Sequence, residues 1–150
     1  METLRAAGDA GGVALLEAFA RWSSDGHADD LADLPVEDFR RRAAEFFQWC
    51  GWGDTSLSTR SDSVIEVGID GCWETARKHS DQTGCHLTTG LLHGFFAALA
   101  GYELGVMELE CAGLGSGGPC RFVIGTPEMV DSIYAGLNSG ASYDQIVAGS

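Results

Sequence analysis

The sequence predicts an α+β domain in which an antiparallel sheet packs against helices. Three observations predict it. Apolar residues recur at helical spacing before residue 50 and again after Cys85; residues alternate strictly between Thr55 and Ile69; and VMELEC and CRFVIG flank the glycine-rich AGLGSGGP as the arms of a hairpin. The order helix, helix, hairpin, helix, hairpin, helix suits one sheet covered by helices. With 150 residues, 45% of them hydrophobic, the chain can bury one core and is too short for two ordinary domains. Residues 1–150 therefore form a single domain, helical over about 1–53 and again over about 127–150.

Val13, Leu15, Leu16, Phe19 and Trp22 place an amphipathic helix over residues 10–23, and SSDGHADD after it reads as a polar loop. A second helix spans Pro35 to Cys50. Pro35 suits a first turn, Glu37 and Asp38 suit the positive end of the dipole, and Gly51 and Gly53 stop the element. In the hairpin that follows, with its turn at Arg60–Asp62, Ile65, Val67 and Ile69 form one face, and Val64, Glu66 and Gly68 the other, as in a strand buried on one side. CWETARKHSDQTG is a short irregular or helical piece. Residues 86–101 form the clearest helix, with Leu91, Leu92, Phe95, Phe96 and Leu99 in one broad stripe and Gly101 as a stop. After the second hairpin, MVDSIYAGL forms a short helix and YDQIVA a helical turn.

Acidic residues number 22 against 9 basic ones, a net charge of -13 that opposes phosphate-rich surfaces, so nucleic acid and anionic membranes are excluded as expected partners. No run approaches the roughly 20 apolar residues of a membrane span, and METLRAAGDAGG lacks the features of a signal peptide. A cytoplasmic location is expected. The odd count of five cysteines, Cys50, Cys72, Cys85, Cys111 and Cys120, argues against a disulfide framework and for metal ligation or burial.

The second half carries a pattern: Cys85 before a glycine-containing apolar helix, then Glu108-x-x-Cys111, a glycine-rich turn and Cys120-Arg121-Phe122. Together with SDSVIEVGIDGCWETA, it resembles the 4-vinyl-reductase domain family, a module that also serves as the sensor of aromatic-responsive transcription activators. The resemblance covers residues 61 to about 128. It implies that Cys85, Glu108, Cys111 and Cys120 are zinc ligands, a hydrophobic cavity beside them, and a homodimer paired through N-terminal helices. Chemistry agrees on the metal, since structural zinc favours four-coordinate, thiolate-rich sites. Cys85 would sit at a helix start, where the dipole favours the thiolate, and Arg121 could offset the excess negative charge. Glu108 and Cys111 are three apart, so a regular strand points them to opposite faces. Either a bulge intervenes, Cys111 has left the strand, or Glu110 is the fourth ligand.

Phe39, Phe46, Phe47, Trp49, Trp52 and Trp73 are candidate walls of the cavity, and Thr89, one turn after Cys85, is a candidate lining residue. The groups with which phenol-binding members hold a hydroxyl have no evident counterpart among Leu87, Thr88, Thr89, Val106 and Met107, so the expected ligand is a small hydrophobic or aromatic molecule. His86 and His93 share a helix face with Gly90 and Ala97, which fits solvent exposure, a dimer contact or a ligand contact. Neither a local catalytic triad nor a nucleotide fingerprint is present, and GLGSGG sits in a hairpin rather than between strand and helix. A sensor or carrier module is therefore expected. Its rivals are a vinyl reductase or accessory protein of tetrapyrrole synthesis and a scaffolding module.

Overall fold

A computed structural model describes residues 2–23, 31, 34–75, 84–114 and 118–149 of the protein. Helix α1 runs Glu2–Ser23, beginning eight residues before the apolar spacing predicts. Gly8, Gly11 and Gly12 weaken helix propensity there, but tertiary contact overrides it. A Cβ on Gly8 would lie 2.2 Å from the carbonyl oxygen of Leu87, and one on Gly12 2.3 Å from that of Leu91. Helix α3, His86–Ala100, returns the contact: a Cβ on Gly90 or Gly94 would lie 2.1 or 2.0 Å from the carbonyl oxygens of Arg5 and Asp9. The two helices therefore meet backbone to backbone through glycines four apart on each.

Helix α2 spans Val36–Trp49 with Pro35 just before it, as the sequence predicts. Strands β1 (Asp54–Ser61), β2 (Val64–Asp70), β3 (Gly105–Glu110) and β4 (Cys120–Gly125) form one antiparallel sheet in the order β1-β2-β4-β3. The first turn falls at Asp62–Ser63, slightly later than expected, because a bulge near Arg60 adds a residue to β1. Leu57, Val67, Ile69, Phe122 and Ile124 face α1, α2 and α3 in the main core. The opposite face is covered as well: Val64 and Val123 pack against Ile133 of α4 (Pro127–Asn138) and Val147 of α5 (Tyr143–Ala148). The single buried face expected for β2 is thus corrected to two. Glu66 and Gly68 make the second face look exposed, but α5 lies over it and Glu66 pairs with Arg60 and Arg121.

Most of the expected loop after Trp22, residues 76–83 of the irregular piece, and 115–117 of the glycine-rich turn lie outside the described residues. Among the described residues no helix is long and apolar enough to cross a membrane.

Candidate metal centre and adjoining cleft

Antiparallel pairing brings the end of β3 and the start of β4 to the edge of the sheet where α3 begins. Cys85 precedes α3, Glu108 lies on β3, Cys111 follows it, and Cys120 opens β4. One ligand atom from each lies within 4.8 Å of all the others, so the four could hold a metal ion. The Cys85 sulfur is 3.8 Å from that of Cys111 and 3.6 Å from that of Cys120. A tetrahedral ion about 2.3 Å from each sulfur would space the sulfurs by about 3.8 Å. All five cysteines are free thiols.

The parity conflict between Glu108 and Cys111 resolves in two ways at once. Glu108 pairs with Phe122 but Glu110 with Arg121, so Leu109 is the extra residue of a bulge, and Cys111 lies beyond the strand. Glu110 leaves the cluster, accepting from Arg121 at 3.1 Å. Arg121 is committed to Glu66 and Glu110 on the α5 side of the sheet, so it does not offset charge at the centre as expected.

Glu108 Oε2 accepts the backbone N–H of Cys85 at 2.9 Å. Its Oε1 is buried and has no hydrogen-bond partner among the described residues. A buried carboxylate oxygen without a partner is costly, and a cation among these sulfurs would satisfy it. Close approach is needed here: a Cβ on Gly84 would lie 2.5 Å from Glu108 Oε2. The Ala112 N–H donates to the Cys120 sulfur at 3.4 Å, an arrangement that favours a thiolate.

Two residues of this site carry no signal in the sequence pattern. Cys72 is fully buried, and hydrogen bonds from Cys120 and Cys85 pull its thiol down, while the bonds it shares with them push Cys120 and Cys85 up. Neighbouring thiols cannot all ionise without a cation to share. Glu74, in the 3-10 turn Trp73–Thr75, accepts the N–H groups of Leu87 and Thr88 at 3.0 and 2.9 Å and the Thr88 hydroxyl at 2.8 Å. It caps α3 from a distance. The residue at the cap position, Cys85, makes no side-chain cap hydrogen bond and keeps its sulfur for the cluster.

Next to the centre a cleft of about 300 Å³ opens between α1 and α3, lined by Glu2, Arg5 and Asp9, by Thr89 and His93, and by Val106 of β3. Thr89 joins cleft to centre, its hydroxyl donating to the Cys85 carbonyl at 2.7 Å. Of the seven predicted wall residues, only Thr89 lines this cleft. Phe46 and Phe47 are core side chains packed on Phe19 and Phe95, and Phe39 meets Phe19 edge-on. Trp49 is 72% exposed, and Trp52 forms a T-shaped pair with Trp73. An aromatic stripe at helical spacing here builds core and surface rather than this cleft. The histidine face of α3 is the face that α1 covers: His93 pairs with Asp9, and Arg5 lies over Gly90. His86 Nε2 is buried with no hydrogen-bond partner among the described residues. A second, apolar cleft of about 520 Å³ lies by the other end of α3, between Phe96, Leu99, Ile65 and Ile124.

Comparison with known proteins agrees with this architecture. The model of the vinyl-4-reductase domain family matches residues 65–126, so the family resemblance read from the sequence holds over that stretch. No curated protein sequence matches the chain. Among solved structures, the phenol-responsive sensory domain of the transcription activator PoxR, with phenol, is similar at a TM-score of 0.61 and 20% identity, over 84% of this chain and 64% of that one. The protein thus spans less than two thirds of that structure's length. A trafficking protein particle complex subunit 3 from Naegleria fowleri, covalently bound to palmitic acid, is similar at a TM-score of 0.60 and 13% identity, over 83% and 78% of the two chains. A vinyl-4-reductase family protein from Methanocaldococcus jannaschii follows at 0.54 and 14%, over 81% and 66%. At these identities the likeness is one of fold.

Proposed function

We propose that the protein is a zinc-containing sensor or carrier domain whose cleft between α1 and α3 takes a small hydrophobic or aromatic molecule. The observation that carries this reading is Glu108 Oε1, a buried oxygen without a described hydrogen-bond partner, facing three sulfurs at tetrahedral spacing. Cys85, Glu108, Cys111 and Cys120 would hold the zinc. Four protein ligands leave no open position, so the ion would be structural, pinning β3 and β4 to the start of α3. Free thiols fit a reducing cytoplasm.

The fold likeness to a phenol-responsive sensory domain supports the sensing role. Size supports the ligand class. About 300 Å³ lies at the lower end for ligand pockets, and about 150 Å³ suffices for benzene, so a monocyclic aromatic fits and a tetrapyrrole does not. Arg5, Asp9 and His93 at the walls add hydrogen-bonding groups that the sequence pattern does not announce. A homodimer would then form on surfaces other than the glycine face of α1, which α3 already occupies.

Elemental analysis of the purified chain is expected to give one zinc per chain. A panel of monocyclic aromatics is expected to raise the Tm by roughly 5–10 °C at a hundredfold excess over Kd, and porphyrins are expected not to. Val106→Trp, which fills the cleft, is expected to abolish the shift. Protein that folds without metal would overturn the zinc assignment, and a shift that survives Val106→Trp would move the ligand elsewhere.

A further inference from the structure

Four thiols, not three, converge at this end of the sheet. Ile69 on β2 pairs with Cys120 on β4, and Gly71, at φ 65°, turns the chain immediately afterwards. The turn returns Cys72 toward the first residue of β4. There its side chain is completely buried, in contact with the sulfurs of both Cys85 and Cys120, and 3.8 Å from the Thr88 hydroxyl. Its sulfur also receives the backbone N–H of Glu74, as that of Cys120 receives the N–H of Ala112. A cysteine buried only as a small hydrophobe needs none of these polar contacts. Backbone N–H groups aimed at sulfur favour the thiolate, which is the metal-binding form.

We propose that Cys72 is a fifth donor of the centre, taking the fourth coordination position in place of Glu108 when the bound ion is strongly thiophilic, as Cd²⁺ is. The inference rests on the metal-site reading above. Softer ions gain more from thiolate than from carboxylate, and Cys72 reaches the ion across the Cys85–Cys120 edge it already touches. Glu108 can leave the ion without losing every partner, because its Oε2 holds the Cys85 N–H. The thiols bind as thiolates and release their protons to solvent. Four thiolates around a divalent ion carry two excess negative charges, which the N–H groups at the sulfurs and the start of α3 partly offset.

Cadmium-113 NMR of the full chain loaded with Cd²⁺ tests this, because the resonance moves downfield with each added sulfur ligand. The wild-type signal is expected in the four-sulfur range. It is expected to stay there in Glu108→Gln and in the control Cys50→Ser, and to move upfield into the three-sulfur range in Cys72→Ser. A wild-type signal already in the three-sulfur range overturns the proposal, and this result stands even where Cys72→Ser fails to fold. In that case bound Cd²⁺ still supports the metal site itself. A wild-type chain that takes up neither Cd²⁺ nor Zn²⁺ overturns both readings.

Discussion

Replacing Gly94 with Ala tests the backbone contact that seats α1 on α3 and forms one side of the cleft. In an open helix the change would stabilise the protein by about 1 kcal/mol, because Gly is a poor helix former. Here the added Cβ would lie 2.0 Å from the Asp9 carbonyl oxygen, where ordinary contact begins at 3.4 Å. Both partners are helix backbone, so neither side can yield alone and the helices must part by more than an ångström. Overpacking of this kind costs about 1–3 kcal/mol. Separation on this scale also forfeits a quarter to a half of the dispersion between side chains behind the seam, where Phe19 and Phe95 lie with ring centroids 5.7 Å apart. Each ring contributes about 1.5–3 kcal/mol through burial, so the loss adds about 1–3 kcal/mol. The net destabilisation is about 2–4 kcal/mol, a fall in Tm of roughly 5–15 °C for a domain of this size. Gly11 provides the control, since a Cβ there meets nothing within 4 Å. Gly11→Ala is expected to raise stability by about 1 kcal/mol. Urea denaturation of both variants, at fixed metal content, decides the matter. If Gly94→Ala matches Gly11→Ala in sign, the helices do not meet at their backbones.

Glu74→Ala leaves the N–H groups of Leu87 and Thr88 without their acceptor, and losing such a cap costs about 1–3 kcal/mol; Glu74→Gln, which keeps one acceptor oxygen, is expected to lose less. Equal denaturation midpoints for Glu74→Ala and wild type would refute the capping role. Tyr143 has its pKa raised above 10, first by burial and then by the nearby charge of Glu66. A raised folded pKa means that the native state holds this proton more tightly than the unfolded chain. Its contribution is therefore complete below about pH 10 and is lost as pH rises through the folded value. Midpoints measured from pH 8 upward are expected to fall, and Tyr143→Phe to flatten the decline. A profile unchanged by the substitution would assign the alkaline loss to other groups.

What the sequence reveals of this molecule follows how local each signal is. The α2 and α3 stripes and both hairpins are legible because period and turn chemistry act within a dozen residues. The metal ligands are legible as a pattern, and their one inconsistency was itself informative. Glu108 and Cys111 violate strand parity, and a bulge lies where the violation requires one. The covering of the second sheet face was hidden because Glu66, charged and central on β2, looks like a solvent residue until Arg60 and Arg121 flank it. Cys72 and Glu74 stayed silent for another reason. Their partners Cys85, Leu87 and Thr88 lie across a segment whose path no local rule dictates, so a free cysteine and a surface glutamate are what the sequence alone offers there. The glycines of α1 and α3 were the legible signal left unused. Gly8 and Gly12, and likewise Gly90 and Gly94, stand four apart on helices that each carry an apolar stripe. Propensity counts each glycine as a cost, yet two helices with the same spacing of missing side chains can approach as no other pair can. That close approach sets Arg5 and Asp9 opposite Thr89 and His93 across the cleft. It also places the cleft one helical turn from Cys85, so cleft and metal centre depend on the same first turn of α3.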